Sequence, residues 1–125
     1  MTNTSERVLT CARWFLDRKR ITNGVADPVS IEEVSATHVV PFRFFDQEGL
    51  TTRTLIGDND LVDEDFIVRV EDLTPEGYEL FRTGYQKWLS AYARRTPEKR
   101  KQWLAENDVS ILNKYLEIIR NRENQ

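Results

Sequence analysis

Cysteine, histidine and methionine each occur once in this 125-residue chain, as Cys11, His38 and Met1. A lone cysteine closes no internal disulfide, which excludes the small disulfide-stapled secreted scaffolds. One cysteine and one histidine supply no zinc-ligand cluster. Glycine and proline are scarce, at five and four, and no glycine-rich phosphate loop exists. No serine sits in a nucleophile-elbow context. No apolar run approaches the roughly 18 residues that cross a bilayer. Residues 1–6 are polar and lack a basic stretch leading into an apolar one, so no secretory leader is expected. By elimination the expected compartment is the cytoplasm.

What is present is the composition of one soluble domain. The mass is 14.7 kDa, enough for a monomer to bury roughly two thirds of its unfolded surface. Hydrophobic residues at 39% and charged residues at 31% exclude a disordered tail, a collagen-like repeat and a membrane protein. Eighteen bases against 21 acids give net −3. That disfavours bulk nucleic-acid binding but leaves room for a local basic patch. No internal repeat or low-complexity segment is evident.

Apolar spacing at Val8, Leu9, Ala12, Phe15 and Leu16 predicts an amphipathic helix over 5–20, with Cys11 beside that face as a small core residue. Ser30 and Glu33 read as a capping box ahead of a short helical turn at 31–36, where a strand is equally compatible. Residues 38–46 carry Val39, Val40, Phe42, Phe44 and Phe45 and predict a strand, with Pro41 at an edge or bulge. A hairpin loop at 46–49, with Gly49 free to take positive φ, leads to a second strand at 50–56. Alternation over 66–70 predicts a third. Thr74-Pro75-Glu76 and Thr96-Pro97-Glu98 are two helix starts, each with a cap, a proline at the first helical position and an acid in the first turn. Asp108 caps a last helix over 109–122. The expected fold is α+β, in the order α-β-β-β-α-α-α. It is a single domain over 1–125, with a three-stranded antiparallel meander against the helices.

Three constellations stand out. Tyr78, Phe81, Tyr85, Trp88 and Tyr92 form one seam of the helix that starts at Thr74, with Gly77, Gly84 and Ala91 as a small-residue groove beside it. The seam either packs on the sheet and the last helix or supplies a partner surface through Tyr78, Tyr85 and Trp88. A homodimer through this seam is a further reading. The second constellation is segregated charge. Residues 41–75 hold nine acids and three bases, residues 76–125 ten bases and seven acids. The loop at 57–65 is the most charged, with Asp58, Asp60, Asp63, Glu64 and Asp65. It lacks the central glycine and regular spacing of a calcium loop, and hydrophobic residues interrupt it, so no metal is expected there. The third is the basic run Arg94, Arg95, Lys99, Arg100 and Lys101.

Leu73-Thr74-Pro75-Glu76-Gly77-Tyr78-Glu79-Leu80 resembles the start of the helix that follows the wing in winged-helix regulators. That resemblance covers eight residues and implies a DNA-binding or transcription-associated module. Elsewhere the chain departs from the pattern. A recognition helix should precede the hairpin, and residues 29–38 are too few for two helices, so no functional residue is carried over.

No catalytic set and no cofactor is expected, and the chain reads as non-enzymatic. The favoured function is protein binding, as a small inhibitor of the immunity or antitoxin type. The acidic loop would steer a basic protein partner. The alternative is a DNA-binding module using the basic run.

Overall fold

The computed structural model describes residues 7–11, 28–59, 61–62 and 65–123, without the side chains of Cys11, of 28–34 and of Glu123. It is a mixed helix and strand structure with a small antiparallel sheet and, among the described residues, four helices.

Strand β1 is Val8–Cys11 and pairs antiparallel with β2, Ile67–Arg69. Val8 lies opposite Arg69 and Cys11 opposite Ile67, with an irregularity between Val8 and Thr10. The helix expected over 5–20 is therefore corrected at 8–11, and residues 12–20 fall outside the described ones. Helical spacing is a local signal. Pairing with a segment nearly sixty residues away overrides it, and Val8, Leu9 and Thr10 suit a pleated surface.

Helix α1, Pro28–Gln47, takes the helical alternative at 31–36 and replaces the strand expected at 38–46. Ser30 is already helical, so it does not cap. Pro28 opens the helix and Pro41 lies within it. Ser35 and residues 37–42 are all buried, as are Phe44 and Phe45. A helix buried on nearly every side presents a continuous apolar run, and periodicity then cannot separate helix from strand.

The turn at 46–49 is the end of α1 rather than a hairpin. Gly49 has φ 71°, its N–H donates to the Asp46 carbonyl at 3.2 Å, and that of Leu50 donates to Phe45 at 3.0 Å. This is the paired-bond helix stop that needs a left-handed residue. The strand expected at 50–56 contracts to a single bridge, Thr51 to Leu73. Backbone bonds from Thr52 to Asp72 and from Thr74 to Leu50, each 2.9 Å, flank it. Among the described residues the sheet thus has two strands, not three.

The C-terminal half follows its start signals. Helix α2 runs over 75–93, as Pro75–Leu80, a π-helical turn Phe81–Tyr85, and Gln86–Ala93. The Thr74 hydroxyl accepts the Gly77 N–H at 3.0 Å. Helix α3 is Pro97–Ala105, with Thr96 capping Lys99. Helix α4 is Ser110–Glu123, and the Asp108 carboxylate ahead of it accepts both the N–H and the hydroxyl of Ser110. The core lies where α1, α2 and α4 meet, around Phe42, Phe45, Leu80, Trp88, Leu112 and Leu116.

The stretch 73–80, on which the winged-helix resemblance rests, is a capped helix start after β2, which Thr74 and Pro75 produce by local capping alone. The hairpin which that pattern needs ahead of it is taken up by α1 and the loop after it.

Candidate functional site

The aromatic seam is mostly core. Tyr85 is 4% exposed and Trp88 0%, because α2 turns this side toward α1 and α3. The Tyr85 ring lies 5.2 Å from Phe42, and Trp88 stacks on Trp103 at 4.9 Å. The Trp88 indole N–H donates to the Asp108 carbonyl at 2.9 Å. Tyr85 and Trp88 therefore do not offer the partner surface read onto them, and an isologous dimer through the seam would need rings that the core already holds. Burial pushes the Tyr85 phenol well up, and its hydrogen bond with the Thr10 side chain offsets this only in part. Tyr78 is the exception. It is half-buried, its hydroxyl accepts the Arg7 guanidinium, and Arg7 and Arg82 lie over its ring at 5.3 and 5.8 Å.

The acidic loop is held at its base by α1. The Asp46 carboxylate accepts the N–H groups of Leu55, Ile56 and Gly57 at 3.0, 2.7 and 3.0 Å, and the Thr51 hydroxyl at 3.0 Å. Arg43 donates to the Asn59 carbonyl. The Val62 N–H donates to the buried Ser35 hydroxyl at 2.9 Å. Positions 35, 43 and 46 fall on one side of an α-helix at 100° per residue, so one helix side pins the loop at 55–57, 59 and 62. Leu55 and Ile56 turn inward, 8% and 1% exposed. Leu61 turns outward and is 65% exposed. Asp58 and Asp65 are exposed on either side of it. Asp60, Asp63 and Glu64 lie outside the described residues.

Leu61 was not among the residues singled out in the sequence. Its signal was there, an apolar pair, Leu61-Val62, inside an acidic run. The contacts separate the two, since Val62 joins the core fringe and Leu61 does not.

The basic run lies where α2 ends and α3 begins. Arg94 and Arg95 follow the last helical residue of α2, and Lys99, Arg100 and Lys101 occupy α3. Beneath them Trp88, Tyr92 and Trp103 form a stack.

A cavity of about 380 Å³ opens between β1, α1 and α2, lined by Thr10, Thr37, His38, Tyr85, Leu89, Tyr92 and Ala93. Its walls are mainly carbon, with hydroxyls and one imidazole. The Thr37 hydroxyl lies 3.5 Å from the His38 Nδ1, and Phe66 meets the imidazole edge-on. Among the described residues no three His, Cys, Asp or Glu side chains converge as a metal site, and no helix is long and apolar enough to cross a membrane. Comparison with protein-family models, with curated proteins and with solved structures finds no match to this chain.

Proposed function

We propose that this chain is a non-enzymatic protein-binding domain, an inhibitor of the immunity or antitoxin type, that docks a basic protein through the loop at 57–65. The observation that carries the reading is Leu61, 65% exposed within a run of five acids on a loop that α1 pins from below. An apolar anchor flanked by charge, as Leu61 is by the exposed Asp58 and Asp65, suits an energetic centre with a polar rim. Pinning lowers the ordering cost that a free loop would bring to binding. The acids speed encounter with a basic surface, an effect that salt weakens. An inhibitor of this kind would act in the cytoplasm and needs no cofactor.

The test is capture from nuclease-treated native lysate with tagged protein, followed by association kinetics. We expect one stoichiometric basic partner. Neutralising Asp58, Asp60, Asp63, Glu64 and Asp65 to the amides should slow association about tenfold at low salt and flatten its salt dependence. Leu61→Ser should speed dissociation by about tenfold. Unchanged kinetics in both variants would remove the loop from the account.

A further inference from the structure

Five of the eight residues at 94–101 are cationic and one, Glu98, is acidic, so this stretch is +4 in a chain of net −3. Glu106 lines the same depression as Arg95 and Lys99, and the Arg95 charge is one of the groups that lower the Asp108 carboxyl against its burial. Arg53, Arg82, Arg120 and Arg122 each lie within ion-pair distance of a carboxylate. Among the described residues, none of Arg94, Arg95, Lys99, Arg100 and Lys101 does.

Local helix physics explains only part of this. Arg94 and Arg95 suit the C-terminal end of α2, where the dipole favours cations. Lys99, Arg100 and Lys101 follow the cap of α3, the end where it does not. The arginines are held from behind. The Arg95 guanidinium lies 4.2 Å over Trp103 and that of Arg100 lies 5.6 Å from the Tyr92 ring. The Nε of Arg100 donates to the Arg95 carbonyl at 3.0 Å, and that of Arg94 to Ser90 at 3.4 Å. Holding a guanidinium by its face or its Nε leaves the terminal nitrogens for an outside acceptor, in the fork geometry that suits phosphate oxygens.

We propose that the corner formed by the end of α2 and the start of α3 binds the phosphate backbone of nucleic acid without reading its sequence. Trp103 and Tyr92 are 5% and 8% exposed, so neither ring is free to stack on a base. Among the described residues the exposed large apolar ones, Val8, Leu61 and Ile118, all lie outside 94–101, so that stretch itself carries no apolar anchor for a bilayer. Phosphate contacts of this kind position a protein and carry no sequence information. At physiological salt, exposed charges act over about 8 Å, so a local patch works on a chain of opposite net charge. The proposal is independent of the acidic loop.

The experiment is fluorescence anisotropy with two labelled 20-base-pair duplexes of unrelated sequence, at 50 to 200 mM salt. We expect equal affinity for both, and a plot of log affinity against log salt with a slope of about −3 to −4, as three or four phosphate contacts give. Lys99→Glu/Lys101→Glu changes two exposed side chains. It should weaken binding at least tenfold at 50 mM salt and reduce the slope by about 2. Lys87→Glu/Lys114→Glu, with the same change in net charge at two other exposed lysines, should retain most of the affinity. Neutralising the acidic loop should leave binding intact or tighter. No binding at 50 mM salt would overturn the proposal, as would equal losses in the two lysine pairs. Binding to phosphatidylserine vesicles without binding to duplex would instead assign the corner to a membrane surface.

Discussion

Asp72 shows how single side chains close this fold. The residue is 6% exposed and sits in the short turn after β2. Arg53 donates to it twice, at 2.8 and 3.1 Å, and the Arg69 N–H at 2.9 Å. Burial alone would raise the carboxyl, but these hydrogen bonds together hold it below the ordinary value of 3.8. The sign of the linkage follows. A depressed native pKa gives stability that is complete above the ordinary carboxylate range and is lost as pH falls through the native value. Asp72→Asn should therefore cost about 1–2 kcal/mol at neutral pH, discounted because Arg53 is half-exposed. The gap between wild type and variant should narrow below about pH 4. Urea unfolding of both proteins at neutral and acid pH checks this, and a gap that widens in acid would contradict it. Asn107 is a second such residue. It takes φ 52° after α3, and its N–H and that of Asp108 return to Leu104 and Trp103, a helix stop in which asparagine stands in for glycine.

At the scale of elements, what the sequence makes legible is what local chemistry decides. Both Thr-Pro-Glu starts open helices, and Asp108 bonds the first turn of α4, because capping needs only neighbours in the chain. The small-residue groove also has its physical counterpart. A Cβ on Gly77 would lie 2.3 Å from the Leu50 carbonyl oxygen, and one on Gly84 would lie 2.9 Å from the Tyr115 Cβ. Leu50 and α4 approach α2 through these gaps. Gly84→Ala should cost about 1–3 kcal/mol and Gly77→Ala more, because a backbone oxygen gives way less easily than a side chain. Alanine's helix advantage of about 1 kcal/mol does not offset a contact that short. Thermal unfolding decides it, and a neutral Gly77→Ala would show that the approach is looser than described. The misread elements are those that depend on distant partners. Val8–Cys11 becomes a strand through Ile67–Arg69, and the phenylalanine-rich run shows no helical period in sequence because its helix is enclosed on nearly all sides.

For the whole molecule, opposite charges and a closed core divide the labour. The aromatic seam, the most conspicuous pattern in the sequence, is used up inside, since Phe81, Tyr85, Trp88 and Tyr92 are all under 10% exposed. The proposed partner surfaces are the pinned acidic loop and the basic corner. The loop's charge was legible in sequence. Its anchor was not, because only the contacts show that Val62 turns in while Leu61 turns out. The same apolar interruptions that argue against a calcium loop would supply the docking residue of the proposed interface. The most direct measurement is hydrogen exchange on the captured complex compared with the free protein. The account predicts new protection confined to residues 57–65 and the side of α1 that holds them. Protection centred on α2, with none at 57–65, would contradict it.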